Sequence, residues 1–240
     1  MWGYIGMLQT LKAERFPWGG LGKNRNGVNK DGSTAYSGAS QEHLHSQSVG
    51  TVIVPRWLEN IIEHYKIDPR VSSDFYFDEY QGKKRLMSCV QCIESREHQL
   101  SERVKIVEDD FHISFVAPVP DPHPHHYEIT IVPYAHAGLF DEMSKREAQS
   151  FARILHQTMM WINSLFPNCG YSYEMRQGPW KIGTYGLDEY YNQLFHWKFN
   201  IYPASSDLGT LRTKGFMSHL LGIPILEEAP ENIAYRLRRQ

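Results

Sequence analysis

Three short apolar segments in the second half of the sequence constrain its fold most strongly. Residues 104–107, 112–116 and 127–132 run apolar or alternate between apolar and polar side chains, a pattern typical of strands. Because they follow one another closely, they predict a meander of antiparallel strands. Two more strands are predicted at 171–175 and 195–202.

One long helix is predicted between the meander and the last two strands. Ser144 and Glu147 have the spacing of a capping box, which satisfies two backbone N–H groups at a helix start. The helix would end near Phe166. Its buried stripe is predicted to consist of Phe151, Leu155, Met159 and Ile162. Strands in succession with one helix packed on them predict an α+β fold.

The first 66 residues give weaker signals. Residues 19–37 are rich in Gly, Asn, Lys and Ser and predict a flexible loop. Residues 47–54 predict a short strand. Pro55 is well placed as the first residue of a helix over 56–66.

Composition narrows the class of protein. The net charge of −2 over 240 residues gives no reason to expect a nucleic acid or a membrane surface as partner. No apolar run approaches the roughly 20 residues that span a bilayer. The first residues lack the basic region and apolar core of a signal peptide. We therefore expect a soluble cytoplasmic protein, in which a Cys-x-x-Cys motif indicates metal or redox use.

A histidine pair suggests phosphorus chemistry. In an extended segment His43, His45 and Gln47 share one face. A neutral imidazole is a good nucleophile towards phosphorus, and a glutamine amide can donate to a phosphoryl oxygen without adding charge. Gly38 and the small residues after it would let the backbone approach a diphosphate. A polar loop with two surface histidines fits the same spacing, so both interpretations stay open.

A second set of residues has the composition of a zinc site. Two thiolates and two imidazoles form a Cys₂His₂ set, made here by Cys89, Cys92, His136 and His196. Four protein ligands leave no open position, so this zinc would be structural. Two free cysteines and two unrelated histidines are the alternative. A redox role is disfavoured because no thioredoxin-like βαβ pattern surrounds the motif.

The order of these motifs resembles one family. Residues 38–47 with the following Val-Ile-Val-Pro resemble the active-site strand of galactose-1-phosphate uridylyltransferases and related nucleotide-sugar phosphorylases, in the histidine-triad superfamily. Segments 89–92, 131–136, 196–203, 214–216 and 229–231 match in the same order. The resemblance covers roughly residues 36–240.

The resemblance implies roles for individual residues. His45 matches the histidine that becomes nucleotidylated, and His43 matches a metal ligand of the family's first half. Gln47 and Ser40 would hold phosphoryl oxygens, with Ser46 beside them. Cations that could contact phosphate are Arg176, Lys198 and Lys214, although surface or dimer-interface charge is the alternative. The family also implies a homodimer, with a nucleotide sugar and a sugar 1-phosphate as substrates.

The sequence departs from the family pattern in its first part. Residues 1–37 contain no cysteine and no histidine, so we expect a truncated N-terminal histidine-triad unit over 1–80 that carries the active-site strand. Residues 1–16 would keep the helix that precedes this strand. A complete C-terminal unit, with an antiparallel sheet and packed helices, is expected over 81–240.

Two departures bear on function. Leu44 replaces the family's proline, a change that we expect to be tolerated. Lys198 and Asn200 replace ligands of a second metal, so only the Cys₂His₂ zinc is expected. The leading hypothesis is a nucleotidyltransferase that works through nucleotidyl-His45. The alternatives are a non-catalytic paralogue that binds a nucleotide or a partner, and a histidine-triad phosphorylase or hydrolase.

Overall fold

A computed structural model describes residues 2–35, 37, 39, 45–52, 55, 57, 58, 60, 77–80, 83–86, 105–116, 128–180 and 195–204. Helices α1 and α2 span Trp2–Ala13 and Lys145–Leu165, and a 3₁₀ turn spans Phe140–Glu142. The strands, numbered β1 to β11 in chain order, are Trp18–Arg25, Gly27–Val28, Thr34–Ala35, Gln47–Thr51, Phe77–Tyr80, Lys83–Leu86, Lys105–Glu108, His112–Val116, Ile129–Pro133, Gly170–Arg176 and Lys198–Ala204.

Seven of these strands form one sheet in the order β4-β1-β10-β11-β9-β8-β7. Every neighbouring pair is antiparallel. The predicted meander is confirmed as β7, β8 and β9, and the α+β class is confirmed with it. The pairs β2–β3 and β5–β6 form small separate sheets.

The predicted loop over 19–37 is wrong where β1 lies. This glycine-rich strand runs inside the sheet, between β4 and β10. Its glycines are used for close packing: a Cβ on Gly19 would come within 2.4 Å of the Trp180 ring. Just after β1, a Cβ on Gly27 would come within 2.0 Å of the backbone nitrogen of Gly170. A glycine-rich segment has little preference for a strand by itself, because glycine is conformationally free. Pairing with β4 on one edge and β10 on the other holds these residues in the extended conformation.

One face of the sheet packs against the helices, and we call it the helix face. Ser144 caps α2 as predicted: its hydroxyl accepts the Glu147 N–H at 3.3 Å, and the Glu147 carboxylate accepts the Ser144 N–H at 2.8 Å. Of the predicted stripe, Phe151 and Ile162 are buried, while the partly buried Leu155 and Met159 pack against the core. The centre of this core is aromatic and contains Phe140, Phe151, Trp197 and Phe199.

Helix α1 lies on the same face, where Ile5 and Leu8 are buried in that core. The helix predicted within residues 1–16 is thereby confirmed. The helix predicted over 56–66 lies almost entirely outside the described residues.

Both predicted units contribute to the large sheet, with β1 and β4 from the first and β7 to β11 from the second. The division at residue 80 stays a prediction.

Candidate active site

The candidate nucleophile lies at an end of the sheet. His45 is half-buried and lies two residues before Gln47, the first residue of β4. In the part of the chain that the structure describes, β4 is an edge strand paired only with β1. His43 and Ser40 lie outside that part, so the predicted grouping of His43 with His45 and Gln47 stays a prediction.

A row of paired residues leads from Gln47 across the sheet. Gln47 pairs with Gly22, Gly22 with Glu174, Glu174 with Asn200, and Asn200 with Thr130. Paired residues in antiparallel strands point to the same face, so this row lies opposite the helix face. We call this second side the polar face. Since Gly22 has no side chain, nothing from β1 stands between Gln47 and Glu174 in this row.

The polar face holds a buried ion pair. Arg176 donates to Glu174 at 2.6 Å, and its guanidinium lies 5.5 Å from the centre of the Trp57 ring. Glu174 is fully buried and Arg176 nearly so. Burial raises the pKa of Glu174 above its usual range, and the adjacent Arg176 opposes this only in part.

Hydrogen bonds extend this pair across three strands. Tyr202 donates to the same carboxylate oxygen of Glu174 at 2.9 Å, and the Asn200 amide donates to the Tyr202 hydroxyl at 3.2 Å. Thr130 donates to the Asn200 side-chain oxygen at 3.3 Å. Burial raises the pKa of Tyr202, as does the carboxylate of Glu174, so Tyr202 acts as a donor. The network therefore fixes the side chains of Glu174, Asn200 and Thr130, which belong to the row that begins at Gln47.

Two of the predicted phosphate-binding cations lie on this face. Arg176 is paired with Glu174, and Lys198 lies 3.6 Å from the carboxylate of Glu128. Each cation is thus balanced by a carboxylate of the same chain. Lys214 lies outside the described residues. Phosphate binding by these three residues stays a prediction.

Ser46 points to the other side of the sheet. Its hydroxyl lies 3.0 Å from that of Tyr4 and 3.5 Å from that of Tyr173, both on the helix face. The predicted contact between Ser46 and substrate is untested by this geometry.

The structure brings together two of the four predicted zinc ligands. The rings of His136 and His196 lie 5.4 Å apart, nearly perpendicular to each other. The Nε2 atom of His196 lies 3.0 Å from the carbonyl oxygen of Pro133. Cys89 and Cys92 fall in a segment that the structure does not describe, and no group of three or more His, Cys, Asp or Glu that could hold a metal occurs in the remainder.

A buried histidine, His112, that the sequence analysis did not single out lines a cavity together with His136. His112 opens β8, and its Nδ1 atom lies 2.7 Å from the Ser150 hydroxyl, which donates to Asp109 at 2.6 Å. A cavity of about 440 Å³ lies between His112 and His136 and is also lined by Trp197. The only sequence signal for the group formed by His112, Ser150 and Asp109 is a histidine at the start of a predicted strand, in a chain that also contains a capped helix.

Comparisons with known proteins add the fold relationship. No family model and no curated protein matches the sequence. A GalT-like protein from Arabidopsis thaliana aligns with a TM-score of 0.56 and 20% identity over 98% of this chain and 65% of its own. A uridylyltransferase mutant aligns with a TM-score of 0.59 and 20% identity, over 98% of this chain and 69% of its own.

An ADP-glucose phosphorylase from Arabidopsis thaliana, solved with bound ADP-glucose, aligns with a TM-score of 0.57 and 19% identity over 99% of this chain and 64% of its own. The chain thus spans about two thirds of the length of these proteins. The order of the sequence motifs predicts a resemblance to this group of proteins, and the shared fold confirms that prediction. Among the described helices, neither has the length and apolar character needed to cross a membrane.

Proposed function

We propose that the protein transfers a nucleoside monophosphate between a nucleotide sugar and an acceptor phosphate, through a covalent intermediate on His45. The observation that carries the proposal is the position of His45 and Gln47 at the start of β4, an edge strand of the described sheet, within a fold shared with uridylyltransferases and a phosphorylase solved with ADP-glucose. Beside β4, Gly22 places no side chain between Gln47 and Glu174 in this row of the sheet.

The chemistry takes two steps. In the first, a neutral nitrogen of His45 attacks the α-phosphorus of the nucleotide sugar. A phosphorus–nitrogen bond forms, the bond to the bridging oxygen breaks, and sugar 1-phosphate leaves with the electron pair. In the second step an oxygen of the acceptor phosphate attacks the same phosphorus, and His45 is regenerated. Gln47 would donate its amide N–H to a non-bridging oxygen as charge develops there.

The covalent intermediate is the direct test. The protein is incubated with UDP-glucose and, separately, with ADP-glucose, each labelled at the α-phosphorus. We expect acid-labile label on His45, located by mass spectrometry of peptides kept at alkaline pH. The variant His45→Ala should lose the label, whereas His156→Ala, which removes an exposed histidine of α2, should retain it. Label retained in His45→Ala would refute the proposal.

Label exchange separates the possible acceptors. Transfer from nucleotidyl-His45 to added sugar 1-phosphate indicates a transferase, transfer to inorganic phosphate indicates a phosphorylase, and loss to water indicates a hydrolase. Nucleotide binding in calorimetry without any label on His45 would instead identify a binding protein.

We also propose a structural zinc held by Cys89, Cys92, His136 and His196. The adjacent rings of His136 and His196 support it. If Nε2 of His196 donates to the Pro133 carbonyl, Nδ1 is left to bind metal, an arrangement that metal-bound histidines often adopt. Such a zinc would join the ends of β9 and β11. Elemental analysis should find about one zinc per chain, lost in His196→Ala and kept in His156→Ala.

A homodimer is the last part of the proposal, and only the family resemblance supports it. Sedimentation velocity measured over a range of protein concentrations tests it. A single monomeric species throughout would argue against it.

A further inference from the structure

Three hydroxyl groups meet directly behind the candidate nucleophile. The Ser46 hydroxyl lies 3.0 Å from that of Tyr4 on α1 and 3.5 Å from that of Tyr173 on β10. The hydroxyls of Tyr4 and Tyr173 are also in hydrogen-bond contact. We call these three groups the hydroxyl triangle. Each member can donate to one neighbour and accept from the other, so the triangle is complete in itself.

Two corners of the triangle are anchored in the core. Tyr173 is buried, with its ring 4.8 Å from Phe199 and stacked at 6.1 Å on Tyr171. Burial raises the pKa of Tyr173, so its hydroxyl keeps its proton. Tyr4 belongs to α1, which is held to the sheet by the buried side chains of Ile5 and Leu8.

The third corner is attached less firmly. Ser46 is half-buried and lies between His45 and the first residue of β4. Within the described sheet β4 pairs with β1 on one edge, so few of the described backbone hydrogen bonds oppose a shift of its start. A side-chain anchor on the helix face would prevent that shift while leaving the opposite face to Gln47.

We infer that Tyr4 and Tyr173 are positioning residues, which hold Ser46 from behind and so fix His45 in place for attack on phosphorus. The inference rests on the proposed function. Neither tyrosine needs to touch substrate, since the hydroxyl triangle lies on the helix face and the row from Gln47 lies on the other. The role depends on the hydroxyl groups, so phenylalanine, which keeps the ring, removes only that role.

The kinetic test compares Tyr4→Phe with Tyr171→Phe. Tyr171 lies two residues from Tyr173 on the same strand and is not part of the hydroxyl triangle. We expect Tyr4→Phe to slow labelling of His45 by about tenfold or more, because small misplacements of a reacting group are costly. The KM for the nucleotide sugar should change little, and Tyr171→Phe should behave like the wild type.

A double variant tests whether the groups act as one unit. If loss of the hydroxyl triangle causes the slower labelling of His45, the double variant Tyr4→Phe/Ser46→Ala should label His45 no more slowly than the slower of the two single variants. The inference would be overturned if the two substitutions reduced the labelling rate by the product of their separate effects. It would also be overturned if Tyr4→Phe and Tyr171→Phe reduced that rate equally.

Hydrogen exchange gives a readout that needs no activity. The amides of Ser46 and Gln47 should exchange about tenfold faster in Tyr4→Phe and in Ser46→Ala than in the wild type, while those of α2 stay unchanged. Unchanged exchange at both amides in both variants would overturn the inference even if the rate falls. Absence of label on wild-type His45 would instead refute the proposed function, and the exchange result would still decide whether the hydroxyl triangle fixes β4. If Tyr4→Phe unfolds, Ser46→Ala alone carries the comparison.

Discussion

The two faces of the seven-stranded sheet are both buried at their centres, yet they differ in chemistry. On the helix face Phe151, Trp197 and Phe199 pack ring against ring. On the polar face, the same strands bury Glu174 and Arg176. Burying an apolar side chain stabilises a fold by about 1.5–3 kcal/mol, whereas burying an ion pair is often neutral or unfavourable. The comparison teaches that alternate residues of β10 and β11 contribute apolar packing on one side and polar contacts on the other.

Removing the centre of the helix face should have the largest effect. Phe151 contacts Phe140, Trp197 and Phe199, with ring centres 5.2 to 5.6 Å away. We expect Phe151→Ala to lower the free energy of unfolding by about 3–5 kcal/mol, measured by urea denaturation. Met160→Ala, on the exposed side of the same helix, should change it by less than about 0.5 kcal/mol. Similar losses in both variants would mean that the helix face is not the main source of stability.

Breaking the ion pair on the polar face should have the next largest effect, and it should depend on pH. Arg176→Met leaves Glu174 buried without its cation and raises the pKa of that carboxyl further. A raised pKa in the folded state means that stability is present at low pH and lost as pH rises. We therefore expect a loss of about 3 kcal/mol near neutral pH that shrinks towards about pH 5.

The double variant Arg176→Met/Glu174→Gln separates charge from packing on this face. It should recover most of the lost stability and show no such pH dependence, because no buried carboxylate remains. A loss in Arg176→Met that is constant across this pH range would show that the guanidinium matters for its contact with Trp57 and not for Glu174.

The outer pair of the polar face should matter least for stability. Lys198 retains 24% side-chain exposure and lies 3.6 Å from Glu128. We expect Lys198→Met to change the free energy of unfolding by less than about 1 kcal/mol. If Lys198 contacts phosphate, the same variant should raise the KM for the nucleotide sugar, measured at constant ionic strength. An unchanged KM would leave Lys198 with a structural role only.

The elements predictable from sequence are those whose signals are local. The capping box of Ser144 and Glu147 marks α2, and alternation marks β8 and β9. The sequence of β1 resembles a loop because the contacts that require Gly19, with the Trp180 ring and the Val49 carbonyl oxygen, come from residues far away in the chain. The hydroxyl triangle is likewise non-local, since it joins α1, the residue before β4 and β10.

The candidate site likewise has some features that the sequence predicts and others that depend on tertiary packing. Residue types pointed to His136 and His196 as a pair, and the structure places their rings side by side. The partner of Arg176 could have been found as well, because Glu174 lies two residues earlier and shares its face of β10. The involvement of Tyr4 and Trp57 could not, since only tertiary packing brings them to these strands.

The position of β1 also bears on the order in which the strands of the sheet can pair during folding. Leu21 of β1 pairs with Met175 of β10, more than 150 residues later in the chain. Contacts between neighbours in sequence form early, and those that close long loops form late. During synthesis the meander can therefore assemble around α2 before β10 is available to pair with β1, and in the described sheet β4 is joined through β1. We therefore expect the strand that follows His45 to be among the last parts of the described sheet to form.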